Sequence, residues 1–438
     1  MDSLLETPVF DPHFDVLSHL AEAPLRPLAA SPPWKDRLAL RTQRMTSSAI
    51  RELLKLTADP EIISFGGGLP APEVFPVDEI RAAAGRVLAE HGTQALQYST
   101  TEGYLPLREM LVRHMSRYGI HVTPANILIT NGAQQALNLV GKLLINSGDH
   151  VLTDEPTYLG ALQAFTSYQA QYLPVPIDDD GMRTDKLEEA LRAGPKFLYV
   201  LPNFQNPAGV TLSLERRQRI VELAAHYGIP LLEDDPYGQL RYEGEHLPAL
   251  VKLDAEIHGT GNHGTPFRGG VIYLGTMSKI LAPGLRIGWV VAPEEVMERL
   301  VQMKQGADLH TGTFNQMVAY EAARGGFLDQ HVRRIRPVYR ERRDAMLAAL
   351  ERHCPPGVRW THPQGGLFLW MTLPAGQSSA HLLAEALKEK VAFVPGAPFY
   401  PLGGGERTAR LNFSYCRPEV IEEGVARLGR VLARTMHA

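Results

Sequence analysis

The chain has 438 residues, of which 44% are hydrophobic, 21% charged and 8% aromatic. This composition excludes intrinsic disorder as the state of the whole chain, because disorder requires low hydrophobicity and high net charge. The formal net charge of -4 argues against nucleic acid as the main partner, since proteins that bind polyanions carry a basic balance or a basic stripe. A length prior of about 150 residues per domain predicts two or three domains.

The sequence gives little indication of a membrane span, a secretion signal or a metal site. No stretch approaches the roughly 18 consecutive apolar residues that a membrane span requires. The acidic start MDSLLETPVFDPHFDV lacks the charged and apolar regions of a signal peptide. Cys354 and Cys416 alone cannot form a disulfide framework or a zinc site, and the two histidines of EIHGTGNHGT lie in a glycine-rich loop of the kind found on surfaces. We therefore expect a reduced, cytoplasmic protein without a metal ion and without a membrane partner.

The N-terminal region begins with a proline-rich arm, residues 1–44, that has no clean hydrophobic period. Ser47 and Ser48 are suitable N-caps for a helix in SSAIRELLKL, whose Ile50, Leu53 and Leu54 share one face. The turn-rich segment ISFGGGLPAPEVFP and a second helix, DEIRAAAGRVLAEHG, follow. We expect residues 45–94 to form the N-terminal part of a small domain.

From Leu96 onward, short apolar runs alternate with amphipathic helices. The predicted strands are NILIT, HVLTDE, KFLYVLPN, IPLLEDD, VIYLGT and RIGWVVA, and the helices include QQALNLVGKLLI, LSLERRQRIVELAAHYG and EEVMERLVQMKQ. This alternation predicts an α/β fold with a mostly parallel sheet covered on both faces, in a large domain at residues 95–330. Residues 331–438 predict a smaller α+β C-terminal region, with a hairpin in VRWTHPQGGLFLWMTL and a closing helix in IEEGVARLGRVLART.

In open parallel sheets, ligands bind beyond the carboxyl ends of the strands. After ILIT, small residues around Gly132 open a helix, which suits an anion because backbone N–H groups and the helix dipole point at it. Tyr158, after HVLTDEP, could stack on a planar ligand, and Asn206, after KFLYVLPN, could aim its amide at a ring oxygen. Each of the three also has an ordinary explanation, as a glycine turn, a rim aromatic residue and an Asn-Pro turn.

Two further strand ends carry charged residues. Asp234, after IPLLE, would be partly desolvated and in need of a cationic or N–H partner, although one of the two adjacent aspartates could instead cap a helix. Lys279 follows VIYLGT, and a lysine amine can form a Schiff base with a carbonyl cofactor. The hydroxyls of Thr276 and Ser278, with Arg286, would suit a phosphate. The ordinary alternative for Lys279 is a solvated surface lysine.

Taken together and in this order, the five features specify pyridoxal 5'-phosphate as the cofactor. A phosphate seat, a stacking ring, an amide for the phenolic oxygen, a carboxylate for the ring nitrogen and a Schiff-base lysine are the groups that this cofactor needs. The carboxylate keeps the pyridine nitrogen protonated, so that the ring can draw electrons from a substrate carbanion.

With these motifs, the sequence resembles the class I/II aminotransferases, the fold-type I pyridoxal-phosphate enzymes. The resemblance covers nearly everything from Met45 to the C-terminus and is carried by GGLPAPEVFP, LQYSTTEGYLPLRE, TNGAQQAL, NPAGVTLS, EDDPYGQLRY, GTMSKILAPGLRIGWV and ARLNFSY. It implies a large domain built on a mostly parallel seven-stranded sheet sandwiched by helices, plus a smaller α+β domain.

The resemblance implies a role for each residue around the cofactor ring. Lys279 would hold the cofactor through a Schiff base and move the proton between the substrate's α-carbon and the cofactor's C4' carbon. Asp234 would pair with the pyridine nitrogen, Asn206 and Tyr237 would bind the phenolic oxygen, and Tyr158 would stack on the ring.

The resemblance also implies how the phosphate and the substrate are held. The phosphate would be bound by the backbone of Gly132, Ala133 and Gln134 and by Thr276, Ser278 and Arg286. Tyr98 matches a tyrosine that reaches the phosphate of the neighbouring subunit, which implies a homodimer with shared sites. Arg410 would take the substrate α-carboxylate, with Asn206 beside it, and Gly67 or Gly68 would lie against the substrate.

The chain departs from the family's pattern in three places. Ala133 stands where many relatives have a hydroxyl residue, so one phosphate donor is in doubt. Ala208 replaces a usual Thr beside the Asn-Pro pair, and the N-terminal arm is longer than in most relatives.

Within the family, SSAIRELLKL, ISFGGGLPAPE and VQMKQGADLHT most resemble the 2-aminoadipate aminotransferases of bacterial lysine biosynthesis. The resemblance places Ser48 and Arg51 over the pocket mouth, where Arg51 could pair with the distal carboxylate of 2-aminoadipate or glutamate. The alternative is that Arg51 lies on the wet face of its helix near Lys55. The expected reaction moves the amino group between L-2-aminoadipate and 2-oxoglutarate by a ping-pong mechanism, with glutamate, leucine and aromatic amino acids as further donors.

Other functions remain open at this point. The same site could serve an aminotransferase of aromatic, branched-chain or kynurenine specificity, or a lyase on the same fold. A pyridoxal-phosphate-binding regulator would need a DNA-binding domain, for which the segment before Met45 is too short and too rich in proline. A nicotinamide dehydrogenase would need a G-x-G-x-x-G that opens a helix after a strand, and neither GGGLP nor GGGER has that setting.

Overall fold

The computed structural model describes residues 34–45, 59–260 and 266–436. The chain divides into two units after Gln43, and the described part of the first unit holds the helical turn α1, Trp34–Arg37. The second unit holds the sheets and all other described α-helices. The predicted helix SSAIRELLKL, with Ser48 and Arg51, lies outside the described residues.

The described helices alternate with strands as the sequence predicts. The strands are β1 Ile63–Ser64, β2 Ile127–Thr130, β3 His150–Glu155, β4 Gln171–Asp178, β5 Gly181–Met182, β6 Phe197–Val200, β7 Leu231–Asp234, β8 Val271–Thr276, β9 Gly288–Val291, β10 Arg359–Trp360, β11 Phe368–Thr372, β12 Val391–Ala392, β13 Val394–Pro395 and β14 Thr408–Asn412. After α1, the α-helices are α2 Val77–Ala95, α3 Leu105–Ser116, α4 Ala133–Leu144, α5 Leu159–Thr166, α6 Thr184–Arg192, α7 Leu214–Tyr227, α8 Leu250–Ile257, α9 Glu294–Asp308, α10 Thr313–Ala323, α11 Phe327–His353, α12 Ser379–Lys388 and α13 Pro418–Met436.

The large sheet has the strand order β2-β9-β8-β7-β6-β3-β4-β5. Seven strands form its body and the two-residue β5 extends its edge. Within the body only β9 runs against the others, pairing antiparallel with both β2 and β8. The expected mostly parallel α/β sheet is therefore confirmed.

Helices cover both faces of this sheet, because its central strands are apolar on both sides. One face packs on α4, α5 and α9 through Leu137, Val140, Phe165 and Leu300. The other packs on α3, α7, α8 and α11 through Leu111, Ile220, Val251 and Val332. The carboxyl ends of the parallel strands are left facing one rim of the sheet, where ligands bind in such folds.

Strand β4 is not expected from the sequence, because its segment QYLPVPID contains two prolines. Proline cannot donate a ladder hydrogen bond and is confined to sheet edges, so Pro174 and Pro176 argue locally against a strand. The strand forms because it lies near the edge, with β3 on one side and only the short contact of Ile177 and Asp178 with β5 on the other.

The C-terminal region forms a second, antiparallel sheet with the order β10-β11-β14-β13. The predicted hairpin is confirmed, with Arg359 opposite Thr372 and Trp360 opposite Met371. The hydrophobic core of this C-terminal region lies between the sheet and the helices α11 and α13. Residues before α2 also belong to this region, because β1 pairs in parallel with β12. Within the described ranges, no helix is long and apolar enough to cross a membrane.

Candidate active site

The predicted phosphate seat lies between β2 and α4. Gly132 is the N-cap of α4 and has φ 77°, a backbone conformation that favours glycine. An added Cβ at Gly132 would stand 2.3 Å from Nη2 of Arg286, so the guanidinium occupies the space that a side chain would fill. Arg286 Nη2 also donates to the carbonyl of Asn131 at 2.9 Å. The helix N-terminus and the guanidinium together form an electropositive seat for an anion.

Hydroxyl groups border the same seat. Thr276 Oγ1 donates to the Ile287 carbonyl at 3.1 Å and accepts from the Ser278 backbone N–H at 3.1 Å. The Ser278 hydroxyl lies 3.0 Å from Thr276 Oγ1, so the two hydroxyl groups stand side by side at the seat. Gln134 donates from its side chain to the Gly160 carbonyl at 2.8 Å, and Ala133 supplies only its backbone. Gln134 therefore links the first turn of α4 to the first turn of α5.

Asp234 is buried at the end of β7 and points to the face of the sheet covered by α4 and α5. Its Oδ2 accepts from the Tyr199 hydroxyl at 2.9 Å, whereas Oδ1 is buried without a hydrogen-bond partner among the described residues. Burial raises the pKa of Asp234 to about 7, against the lowering effect of the Tyr199 hydrogen bond. A cationic N–H donor at Oδ1 would satisfy this carboxylate.

The residues on either side of Asp234 point to the opposite face, as strand alternation requires. Glu233 accepts from the backbone N–H groups of Leu250 and Val251, both at 2.9 Å, and so caps α8. Asp235 accepts from Asn203 and from the Gly238 N–H, both at 2.9 Å. Asp235 thus holds the turn at Gly238 and caps no helix of the described chain, contrary to the alternative considered for the two aspartates, and Asp234 remains for a ligand.

Tyr158, Asn206 and Tyr237 lie close together. The Tyr158 ring folds over the first turn of α5, where a Cβ on Gly160 would stand 2.5 Å from Tyr158 Cζ. Tyr237 and Asn206 are hydrogen-bonded to each other and both are buried. Burial and the nearby Asp234 carboxylate raise the pKa of Tyr158 to about 12, so its hydroxyl stays protonated at neutral pH.

Lys279 lies just beyond β8, and its Nζ donates to the Gly68 carbonyl at 2.7 Å. Burial and the positive charges of Arg410 and Arg286 lower the pKa of Lys279 to about 8. An amine with this pKa is present partly in its neutral, nucleophilic form near pH 7. Lys279 is thus an enclosed amine of lowered pKa rather than the solvated surface lysine that the sequence left open.

Arg410 is 1% exposed and reaches the site from β14. It donates to Asn206 Oδ1 at 2.9 Å and to the Gly66 carbonyl at 2.8 Å, and its guanidinium carbon lies 4.3 Å from the ring centre of Phe368 and 5.4 Å from that of Phe399. Its buried Nε has no partner among the described residues. Burial lowers the pKa of Arg410 to about 10, so it remains a cation that can bind a carboxylate.

The remaining predicted residues are placed as follows. Gly68 faces Phe368, and an added Cβ would meet Phe368 Cζ at 3.4 Å, an ordinary contact. Packing alone therefore does not require glycine at this position, and contact of Gly67 or Gly68 with substrate stays a prediction. Tyr98 is 78% exposed and packs edge-on against His310, at 5.8 Å between ring centres. It is thus available to another molecule, while Ser48 and Arg51 lie outside the described residues.

Several residues of the site were missed from the sequence. Tyr199 orients Asp234, and its hydroxyl within the otherwise apolar stretch FLYVL was a signal for it. Gln205 donates to the Pro156 carbonyl at 2.7 Å and accepts from the Ala208 N–H at 2.9 Å, so it connects the loops that carry Tyr158 and Asn206. Phe368 carried no local signal, since its contact with Arg410 joins two strands of the second sheet.

These residues fit pyridoxal 5'-phosphate, the cofactor that the sequence resemblance implies. The unpartnered Asp234 Oδ1 can accept from a protonated ring nitrogen, and the seat at Gly132 and Arg286 can hold a phosphate. The amide of Asn206 and the hydroxyl of Tyr237 can serve a phenolic oxygen. Lys279 supplies a primary amine of lowered pKa.

Comparison with known proteins gives matches over nearly the whole chain. The family model described as Aminotransferase class I and II matches residues 61–428. The 2-aminoadipate transaminase of Thermus thermophilus is 48% identical over 400 residues, which cover 91% of this chain and 97% of that protein. Aromatic-amino-acid aminotransferase 1 of Thermococcus litoralis is 46% identical over 399 residues, covering 90% and 93% respectively.

A solved structure matches equally well. The crystal structure of LysN, the alpha-aminoadipate aminotransferase of Thermus thermophilus, complexed with N-(5'-phosphopyridoxyl)-L-leucine, superposes with a TM-score of 0.85 at 46% identity. The match covers 92% of this chain and 99% of that one. The similarity therefore extends over nearly the whole chain.

Proposed function

The chain belongs to the class I and II aminotransferases, which use pyridoxal 5'-phosphate, and we propose that its substrates are L-2-aminoadipate or a related amino acid and 2-oxoglutarate. The amino group would pass between them by a ping-pong mechanism, in a cytoplasmic homodimer that serves lysine biosynthesis. The observation that carries the proposal is the amine of Lys279, which donates to the Gly68 carbonyl at 2.7 Å and whose pKa is lowered by burial and by the charges of Arg410 and Arg286. Arg286 would bind the cofactor phosphate, and Arg410 would bind the substrate carboxylate.

The cofactor, when bound, supplies an electron-withdrawing ring that stabilises negative charge at the substrate α-carbon. Asp234 would keep the ring nitrogen protonated through its unpartnered Oδ1, while Tyr199 fixes the carboxylate by bonding Oδ2. Asn206 and Tyr237 would hold the phenolic oxygen. Tyr158 would stack on the ring, where its raised pKa keeps the hydroxyl neutral.

The anionic groups would be held separately from the reacting atoms. The phosphate would be bound by the backbone of Gly132, Ala133 and Gln134 and by the side chains of Thr276, Ser278 and Arg286. Arg410 would bind the substrate α-carboxylate with its unpartnered Nε, fixed by Asn206 and by the flanking phenyl rings. This arrangement directs the substrate's α-carbon toward Lys279, whose Nζ would take and return the proton.

The main test is an absorbance spectrum of the purified protein before and after L-2-aminoadipate is added without any oxo acid. We expect the band of the bound pyridoxal form to convert into that of the pyridoxamine form, because the first half-reaction needs no second substrate. A band that is present but does not convert would contradict the proposed donor. A protein that stays colourless after incubation with pyridoxal 5'-phosphate would contradict the whole proposal.

Substrate recognition is tested by comparing Arg410→Ala and Arg51→Ala on 2-aminoadipate, glutamate, leucine and phenylalanine. Arg410→Ala should lower kcat/KM by roughly 10- to 100-fold for every amino acid, since all carry the α-carboxylate. Arg51→Ala should lower it by about 10-fold or more for the two dicarboxylic substrates alone. Lys55→Ala, which removes another cation of the same segment, is the matched control. An equal loss for leucine in Arg51→Ala would refute the role proposed for that residue.

An aromatic specificity is the second candidate, favoured by the identity to the Thermococcus litoralis enzyme, whose name states aromatic amino acids. The same panel decides between the two, because an aromatic enzyme would give its highest kcat/KM with phenylalanine. The homodimer is supported by the exposure of Tyr98, which would reach the phosphate of the partner subunit.

A further inference from the structure

An ion pair between a buried lysine and a partly buried aspartate lies behind the phosphate seat and has no part in the chemistry described so far. Lys304, on α9, has no exposed surface. Its Nζ donates to Asp308 Oδ1 at 2.9 Å, to Asp308 Oδ2 at 3.0 Å and to Gln135 Oε1 at 2.9 Å. The ammonium group therefore has polar partners on two helices, α9 and α4, and joins their ends.

The amide of Gln135 carries this connection to the turn before α4. Gln135 donates to Asp308 Oδ2 at 2.6 Å, and its Oε1 accepts from the backbone N–H of Asn131 at 2.8 Å. Asn131 also donates from its side chain to Asp308 Oδ2 at 2.5 Å. Both the backbone and the side chain of Asn131 are thus fixed by the same cluster.

Asn131 is the point at which the cluster meets the seat. Its carbonyl accepts from Arg286, and the next residue, Gly132, begins α4. The orientation of the Asn131–Gly132 peptide therefore determines where the first N–H groups of α4 and the Arg286 guanidinium point. We propose that Lys304 and Asp308 are positioning residues that hold the phosphate seat in its binding geometry before the cofactor arrives, an inference that rests on the cofactor site proposed above.

The two charges of the Lys304–Asp308 pair have separate tasks that apolar side chains could not perform. Asp308 accepts three donors that fix the turn, but a lone carboxylate behind a phosphate site would repel the phosphate. Lys304 neutralises it without competing for the seat. Removing one partner of a buried pair leaves the other charge uncompensated, so the two single variants and the double variant should differ.

The primary experiment measures binding of pyridoxal 5'-phosphate to apoprotein carrying Lys304→Met. We expect the Kd to rise roughly tenfold or more, as for other residues that orient direct ligands, and the ³¹P resonance of the bound cofactor to shift. At saturating cofactor, kcat should stay within about threefold of wild type, because the reacting groups are untouched. Lys142→Met, which removes an exposed lysine of α4, is the matched control and should leave the Kd unchanged.

Two further variants separate positioning from general stability. Lys304→Met/Asp308→Asn leaves no unpaired charge and should bind the cofactor more tightly than Lys304→Met alone. Gln135→Leu cuts the link to Asn131 but keeps the ion pair, so it should weaken binding even if Lys304→Met does not fold. Sedimentation of each apoprotein checks that assembly is unchanged.

The outcomes are distinct. Wild-type Kd values in Lys304→Met and Gln135→Leu, with or without a lower thermal midpoint, would overturn the inference and leave a structural role only. Weaker binding that merely follows loss of assembly would overturn it as well. Failure of the wild-type protein to bind pyridoxal 5'-phosphate would instead contradict the proposed function.

Discussion

The Lys279→Ala variant should retain less than about one ten-thousandth of wild-type turnover. Alanine removes both the amine that would anchor the cofactor and the group that would carry the proton. The amine is poised for both tasks because burial and two neighbouring guanidinium groups lower its pKa to about 8. Steady-state assays with L-2-aminoadipate and 2-oxoglutarate measure the loss. Borohydride reduction followed by peptide mass spectrometry should find the cofactor on Lys279 in the wild type and on no residue in the variant.

The matched control is Lys279→Arg, which keeps a positive charge at this position. A guanidinium stays protonated at neutral pH and cannot form a Schiff base, so this variant should be equally inactive. Substantial turnover in Lys279→Arg would mean that charge rather than the amine is required. Loss of the single hydrogen bond to the Gly68 carbonyl should leave the near-ultraviolet circular dichroism of both variants unchanged.

The second large effect is expected from Asp234→Ala, which should lower kcat by roughly 100- to 1000-fold. Without the carboxylate, the ring nitrogen of the cofactor has no buried anion to keep it protonated, and charge at the substrate α-carbon is less stabilised. The fold should survive, because Asp234 makes only one side-chain hydrogen bond with a described residue, to Tyr199. Parallel measurements of kcat and of cofactor Kd separate this electronic effect from poor binding.

Asp234→Asn is the matched isosteric variant, and its apoprotein tests the burial of the charge. Burial raises the pKa of Asp234 to about 7 in the folded chain. A carboxyl with a raised folded pKa costs stability progressively as pH rises from about 4 to about 7. The asparagine variant escapes this cost, so its advantage in free energy of unfolding should grow over that interval and then level off, at up to about 4 kcal/mol. A constant difference between pH 4 and pH 8 would contradict the raised pKa.

The sheet was predictable where strands are short and aliphatic, as in ILIT and VIYLGT. Strand β4 was not predictable, because its two prolines argue against a strand when only the local sequence is considered. A strand can contain proline when it lies near the edge of a sheet, and that position is known only from the fold. The hairpin of β10 and β11 was predictable from sequence, since its strands are close in the chain.

The site was predictable where residues follow strand ends, because topology alone gathers those positions. Lys279, Asp234 and Asn206 were found in this way. Contacts between distant segments were not. Lys304 and Asp308 look like an ordinary surface pair at helical spacing, and only the contact of Lys304 with Gln135, 169 residues earlier, shows that they lie behind the seat. Arg410 required the family resemblance, since nothing in RLNFS itself indicates an inward-facing guanidinium.

The three consecutive acidic residues Glu233, Asp234 and Asp235, at and just after the end of β7, make the length of this strand more critical than its composition. Glu233 and Asp235 point to one face to cap α8 and to hold the following loop, whereas Asp234 points to the other. Inserting or deleting one residue upstream within β7 would send Asp234 to the wrong face and bring a capping carboxylate into the cofactor site. Evolution can therefore vary the side chains of this strand by substitution, but it cannot change their number by one without losing the reaction.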